Sequence, residues 1–262
     1  MRIEVVTGTD TDVGKTWGTA ALAARALVAG LRVHVDKPVQ TGVAPGEAGD
    51  VETVRDLVAA AAASGALDAA APARLTVSEG ARVGPAMAPV DAVAHAGEGT
   101  PPLPPLGEQL GRWRGLAAGV DHLLIEGAGG ITVAWTEADE GPVDAVRALR
   151  AAGLDAGLTV VARPGLGTQN HARLTVEHAA ARGVAPERIL VSGVAADPDP
   201  VERANLVFPG PPGRRPRGGA GDGAAGHPAA RHVGALTAVV GSVLSERRGS
   251  AAPRTPRSPR DR

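Results

Sequence analysis

Three short segments of the sequence carry residues whose types and spacing suit the handling of phosphate groups. The first, Gly8-Thr-Asp-Thr-Asp-Val-Gly-Lys-Thr16, joins an apolar run to a helix-forming stretch. Backbone N–H groups at a helix start bind phosphate oxygens, a lysine reaches the β- and γ-phosphates, and a threonine hydroxyl binds Mg²⁺. The usual pattern has one residue fewer between its two glycines. Because the segment lies between a predicted strand and a predicted helix, it favours a nucleotide site over an ordinary turn.

Two further segments follow other predicted strands. They are Asp36-Lys37-Pro-Val-Gln-Thr-Gly42 and Glu126-Gly-Ala-Gly-Gly130. Strand ends in an open parallel sheet point into the crevice where ligands bind, so Lys37 and Glu126 are expected beside the first loop. A carboxylate at such a place can hold Mg²⁺, and glycines let the backbone approach phosphates closely. A solvated lysine and a tight turn are the simpler alternatives.

The choice of basic residues points to the same positions. Lysine and arginine together number 27, yet only Lys15 and Lys37 are lysines. Arginine serves everywhere else, so these two places are expected to need a compact ammonium that acts as a point charge. Chance is the alternative explanation.

The apolar pattern predicts the elements that must position these side chains. Short apolar runs alternate with helical stretches, which predicts a single α/β domain with a mostly parallel sheet flanked by helices. Strands are predicted at Ile3–Val6, Arg32–Val35, Leu123–Ile125, Leu158–Ala162 and Ile189–Val194. Helices are predicted at Thr16–Ala29, Val51–Ala63 with Asp50 as a candidate N-cap, Leu106–Ala118, Val143–Ala151 and Gln169–Ala181. A long loop is predicted from Pro85 to Pro105.

Composition limits the class of protein. Hydrophobic residues make up 44% of the chain but aromatic residues only 2%, so the core must be built from Ala, Val and Leu. The absence of cysteine excludes disulfides, thiolate chemistry and a cysteine-based zinc site. With no signal-peptide pattern and no long apolar run, a cytoplasmic protein without membrane contact is expected.

Four segments, taken in order, resemble the signature of dethiobiotin synthetases: the first loop, Lys37–Gly42, Glu126–Gly130 and Gly165-Leu-Gly-Thr-Gln-Asn-His171. The resemblance covers about residues 1–195. It implies an ATP- and Mg²⁺-dependent cyclo-ligase that closes 7,8-diaminononanoate with CO₂ to dethiobiotin, giving ADP and phosphate. The implied route passes through a carbamate and a carbamic–phosphoric anhydride. It also implies a homodimer with the active site at the subunit boundary.

The resemblance also assigns roles to individual residues. Lys37 and Lys15 would be catalytic, with Lys37 between the carbamate and the γ-phosphate. Oxygen ligands for Mg²⁺, a hard cation, would come from Thr16, Asp50 and Glu126. Residues implied to bind the nucleotide are Asp12, Val13, Gly14, Lys15, Thr16, Trp17, Asp50, Glu126, Gly127, Ala128 and Gly129. Residues implied to bind the substrate are Thr41, Gly167, Thr168 and Asn170. A plain helix cap is the alternative for Asp50 and Asn170.

The sequence departs from the family's pattern near its end. An Asn-Asp pair that contacts the base in many family members is replaced by Val194-Ala-Ala-Asp-Pro198, which leaves the base preference open. Residues 1–208 are expected to form the domain, and 209–262 an Arg/Pro/Gly-rich tail with ten arginines and three acids. Such a tail is expected to be disordered over much of its length, apart from one apolar helix at Val233–Leu244. A reading-frame change would explain it without a nucleic-acid partner.

Three alternative functions are open. A partition-type ATPase switch would bind nucleic acid or membrane through a basic surface, but it needs a second lysine that Thr9–Val13 does not supply. A related amidoligase of the cobyrinate-synthase type would carry a cysteine nucleophile, and the chain has none. A degenerate homologue would bind ligand without turnover.

Overall fold

A sheet of six parallel strands organises residues 1–207, the part of the chain that the computed structural model describes. The strands are β1 (Arg2–Gly8), β2 (Val33–Thr41), β3 (Leu75–Val83), β4 (His122–Gly130), β5 (Ala156–Ala162) and β6 (Arg188–Val191). The helices are α1 (Lys15–Val28), α2 (Asp50–Ala63), α3 (Pro89–His95), α4 (Leu106–Ala118), α5 (Pro142–Ala151), α6 (Thr168–Ala181) and α7 (Pro200–Val207). The predicted α/β fold class is confirmed.

The order of the strands, β3-β2-β4-β1-β5-β6, creates a crevice next to β1. From β1 the chain passes over the place of β4 to reach β2 and β3, and then returns to β4. It next crosses to the other side of β1 to form β5 and β6. Loops that leave the adjacent strands β1 and β4 therefore diverge, which is where open α/β sheets bind ligands.

Strand β2 separates from β4 halfway along its length. The two strands pair from Val33 to Asp36, whereas β2 pairs with β3 as far as Thr41. Pro38 fits into this part of β2 because no strand on the β4 side needs its missing N–H group. The separation opens a gap in the sheet at Lys37.

Two apolar layers cover the faces of the sheet. One contains α1 and α2, whose buried side chains include Leu22, Leu27 and Val54. The other contains α4 and α5, with Trp113 and Leu149. Aliphatic side chains dominate both layers, as the composition predicted, and the two fully buried tryptophans, Trp113 and Trp135, both lie in the second.

A buried carboxylate lies within the sheet, on β1. Glu4 is 1% exposed and accepts a hydrogen bond from the Thr159 hydroxyl. Its carboxylate oxygens lie 3.4 Å from His122 Nε2 and 3.5 Å from Arg188 Nε. Burial alone would raise the pKa of Glu4, but these partners more than offset it and the pKa lies below its ordinary value.

Several predicted boundaries were wrong. Lys37 and Glu126 lie inside β2 and β4 rather than after them, because polar partners let both strands continue past their apolar runs. Strand β3 and helix α7 were not predicted, and α3 lies within the predicted long loop. The N-cap of α2 is Gly49, and Asp50 is the first helical residue.

The predicted tail, 209–262, and its apolar helix at Val233–Leu244 lie outside the described residues. Strand β6 is shorter than predicted and ends at Val191. None of the helices formed by residues 1–207 is long and apolar enough to cross a membrane.

Candidate active site

The loop after β1 depends on backbone conformations that suit few residues. Gly14, the N-cap of α1, has φ = 85°, and Asp12 has φ = 56°, so both occupy the left-handed region. A Cβ atom at Gly14 would lie 2.4 Å from the Ser192 hydroxyl, which leaves no room for a side chain. The loop is therefore held by its glycine and by the loop that follows β6. Val13 is buried beneath it, and Trp17 packs half-buried against the α1–α2 layer.

The side chain of Lys15 folds back over this loop. Its ammonium donates to the Asp10 carbonyl at 3.0 Å, and the residue is 8% exposed. Burial lowers the pKa of Lys15, and the positive charge of Lys37 lowers it further. Glu126 and Asp50 oppose this lowering, and both carboxylates also contact Lys37, so the two ammonium groups face one cluster of carboxylates.

Lys37 reaches from β2 across the gap to β4. Its ammonium lies 2.5 Å from Asp50 Oδ2 and 3.0 Å from Glu126 Oε1, and it donates to the Gly127 carbonyl at 3.2 Å. Three acceptors match the three N–H bonds of an ammonium. Burial disfavours the charge, but Glu126 and Asp50 more than offset that effect, so the pKa of Lys37 is raised.

Glu126 links Lys37 to the loop that follows β1. Thr16, in the first turn of α1, donates its hydroxyl to Glu126 Oε1 at 2.9 Å. The second oxygen, Oε2, is buried and has no hydrogen-bond partner among the described residues. A buried carboxylate oxygen without a partner is costly, so this oxygen is available to a cation or a donor.

Asp50 completes the cluster from the start of α2. Burial opposes its charge, but attraction to Lys37 outweighs it and lowers the pKa of Asp50. The residue is positioned through its backbone, whose N–H donates to Gln40 Oε1 at 2.9 Å. The preceding Gly49 allows this approach, since a Cβ there would lie 2.4 Å from Glu79 Oε1.

The glycine run of β4 is shaped by side chains packed against it. A Cβ at Gly127 would lie 2.2 Å from Cζ2 of the buried Trp135. Gly129 has φ = 64° and a Cβ there would lie 2.6 Å from Val133. Ala128 is half-buried between them. These contacts place the Gly127 carbonyl where Lys37 binds it.

The predicted substrate residues lie outside this cluster. Thr41 ends β2 and pairs with Val83. Gly167, with φ = 93°, is the N-cap of α6, and the buried Thr168 donates its hydroxyl to the Arg163 carbonyl. Asn170 is exposed in the first turn of α6, so it is not the cap of that helix.

Comparison with known proteins identifies the family. A family model described as an AAA domain matches residues 4–209. The chain is 42% identical to the ATP-dependent dethiobiotin synthetase BioD of Parafrankia sp. over 79% of this chain and 78% of the relative. It is 41% identical to the BioD of Rhodococcus jostii, covering 79% and 80% of the two chains. The chain belongs to the dethiobiotin synthetase family.

Among solved structures, the kinase domain of the Escherichia coli tyrosine kinase ETK matches 76% of this chain and 70% of its own. Its TM-score is 0.43 at 17% identity.

One buried carboxylate next to the cluster was missed by sequence reasoning. Asp36 is fully buried next to Lys37 and accepts two hydrogen bonds from Arg112, at 2.6 and 2.7 Å. The Trp113 indole N–H and the Ser78 hydroxyl donate to it at 2.8 and 2.6 Å. This network ties α4 and β3 to β2 immediately before Lys37. The sequence put Asp36 just after the strand predicted to end at Val35, so nothing marked it as buried.

Proposed function

We propose that this synthetase family member catalyses the ATP-dependent closure of 7,8-diaminononanoate with CO₂ to dethiobiotin, releasing ADP and phosphate. The observation that carries the proposal is the convergence of the chain's two lysines beside Glu126, at the crevice between β1 and β4. The named activity of relatives at about 40% identity agrees with it.

The electrostatics of the site suit a bound triphosphate. Two buried ammonium groups lie close enough that Lys37 lowers the pKa of Lys15. A polyanion placed between them would relieve that repulsion, so we assign the β- and γ-phosphates to Lys15 and to the loop around Gly14. The nucleotide roles of Asp12, Val13 and Trp17 are part of the same proposal, as are those of Gly127, Ala128 and Gly129.

The donor set fits Mg²⁺. Thr16, Asp50 and Glu126 offer only oxygen atoms, and Glu126 Oε2 is buried without a partner. Among residues 1–207 no group of three or more acidic, histidine or cysteine side chains forms a metal site, so the proposed set relies on the Thr16 hydroxyl and on phosphate oxygens. When bound, the cation neutralises charge on the phosphates.

The reaction requires positioning more than covalent chemistry. A carbamate forms when one substrate amine attacks CO₂ and loses a proton. Its oxygen then bonds to the γ-phosphorus while the bond from phosphorus to ADP breaks. The second amine attacks the carbonyl carbon of the resulting anhydride and loses a proton, so that the second C–N bond forms while the C–O bond to phosphate breaks. Lys37 is proposed to hold the carbamate and γ-phosphate together and to neutralise their charge.

The remaining assignments complete the proposal. Thr41 would contact the reacting end of the substrate. The start of α6, with Gly167, Thr168 and Asn170, would bind its carboxylate from the neighbouring subunit of a homodimer. We also propose a cytoplasmic location, residues 1–208 as the catalytic domain, and no nucleic-acid partner.

Phosphate release from ATP, measured with and without diaminononanoate and bicarbonate, tests the proposal. We expect release to depend on both, with dethiobiotin formed in equal amount. Release that ignores the diamine would favour a switch ATPase instead. Lys37→Ala is expected to abolish turnover while ATP binding, measured by calorimetry, is retained. Loss of ATP binding would move Lys37 from the chemistry to the scaffold.

A further inference from the structure

Helix α7 contacts the rest of the domain in an unusual way. Asn205 is its one buried residue among Pro200–Val207, and it is 3% exposed. Leu206 and Val207, the apolar residues that follow, are 43% and 73% exposed. A short helix normally docks through apolar side chains, whereas this one docks through a single amide.

Within residues 1–207, the hydrogen bonds of that amide all go to one segment, Arg163–Gln169. Its Nδ2 group donates to the Pro164 carbonyl at 2.7 Å and to the Gly165 carbonyl at 3.0 Å. Its Oδ1 atom accepts from Gln169 Nε2 at 3.0 Å. Asn205 therefore uses its donors on the loop before α6 and its acceptor on the first turn of α6.

This loop has few other anchors. The Thr168 hydroxyl holds the Arg163 carbonyl, so three successive carbonyls, 163 to 165, are each held by a side-chain donor. Leu166 is 83% exposed and gives no apolar anchor. With glycine at 165 and 167, the backbone between them is free to adopt many conformations unless these donors fix it.

We infer that Asn205 is a positioning residue for the segment Gly165–Asn170, which joins the end of the loop before α6 to the first turn of α6. It fixes this segment in the conformation that receives the substrate carboxylate. The inference rests on the proposed function, which assigns that loop to the substrate. Asn205 itself is proposed to touch neither substrate nor nucleotide. It acts through the backbone of the loop, so its loss should weaken substrate binding and leave the phosphate site intact.

The test combines kinetics with hydrogen exchange on the full-length protein. Asn205→Ala is expected to raise the KM for diaminononanoate by about tenfold or more, since the Pro164 carbonyl loses its side-chain donor and the Gly165 carbonyl is left with the Thr168 N–H at 3.3 Å. The kcat at saturation and the KM for ATP are expected to stay within about twofold of wild type. Backbone amides of residues 163–171 should exchange faster. Leu206→Ala, an exposed neighbour on the same helix, is the matched control and should change none of these.

A second variant tests the acceptor atom of the Asn205 amide separately from its donor group. Gln169→Ala removes only the contact with Oδ1 and should give a smaller rise in the same KM. The inference fails if Asn205→Ala speeds exchange of the loop without raising that KM, if it leaves exchange unchanged, or if kcat and both KM values deteriorate together. If the wild-type protein itself shows no dependence on the diamine, the proposed function fails and the positioning of substrate fails with it. Exchange of residues 163–171 still shows in that case whether Asn205 holds the loop.

Discussion

Removing the charge of Lys37 should strongly destabilise the ligand-free protein. Lys37→Met keeps most of the side-chain volume but leaves Glu126, which is 1% exposed, without its cation. One oxygen of Glu126 already lacks a partner and the other would keep only the Thr16 hydroxyl. Breaking a buried ion pair from one side costs about 3–5 kcal/mol, and we expect a loss of that size at pH 7. Asp50, at 34% side-chain exposure, adds little because solvent screens it.

The loss should depend on pH in a definite direction. Lys37 lowers the pKa of Asp50 below its ordinary 3.8, so the pair stabilises the fold above that pH and loses its effect as the pH falls. Lys37→Met removes the strongest influence that lowers the pKa of Asp50, while burial still acts to raise it. Because Asp50 adds little to the loss, only a small part of the difference in stability between variant and wild type should disappear as the pH falls through about 4.

Urea denaturation of the metal-free protein measures these differences, provided that the m-values agree. Adding Glu126→Gln to Lys37→Met removes the unpaired charge and should recover about 2 kcal/mol or more. Lys15→Met is the matched control, because burial and Lys37 already lower the pKa of Lys15 and its charge opposes folding. That control should be neutral or stabilising. The reasoning is refuted if Lys37→Met costs less than about 1 kcal/mol, or if the double variant is no more stable than the single one.

Three further predictions concern packing, metal and acid. Gly127→Ala should cost about 1–3 kcal/mol in urea because its Cβ would lie 2.2 Å from Trp135, whereas Gly107→Ala, in an open part of α4, should stabilise by up to about 1 kcal/mol. Thr16→Val should raise the Mg²⁺ concentration needed for half-maximal turnover by about tenfold or more. Glu4→Gln should flatten the fall of Tm below about pH 4.5, because the lowered pKa of Glu4 makes its stabilising effect vanish as the pH falls.

Each of these predictions has a clear contrary result. Equal stability of the two alanine variants would mean that Trp135 moves aside without strain. An unchanged Mg²⁺ requirement would remove Thr16 from the ligand set. A Glu4→Gln protein with the same Tm profile as wild type would assign its acid sensitivity to other carboxylates.

The apolar pattern predicted five of the seven α-helices of residues 1–207, but polar side chains hid parts of the sheet. Strand β2 was expected to end at Val35, yet it continues because Asp36 and Lys37 find buried partners on other elements. Strand β3 has no continuous apolar run and is fixed by pairing with β2. Residues 36 and 112 lie far apart in the sequence, so no local signal links them.

Sequence reasoning singled out the residues of the lysine cluster but not the residue proposed to position the substrate loop. Glycine-rich segments mark strand ends in this kind of fold, and they singled out Lys15, Thr16, Lys37 and Glu126. The role of Asn205 could not be found, because a lone asparagine near the end of a short helix carries no periodic signal. Only the three-dimensional meeting of α7 with the loop before α6 reveals it.

The burial of both lysines leaves the protein almost without reactive primary amines on its surface. Lys15 and Lys37 are 8% and 3% exposed, and the sequence has no other lysine. Amine-directed reagents should therefore attach first to the α-amino group of the first residue, giving a singly tagged and uniformly oriented preparation. A reagent that carries a phosphate-like group into the crevice would instead reach the two hidden amines, and a mass spectrum could assign the adduct to either one without ambiguity.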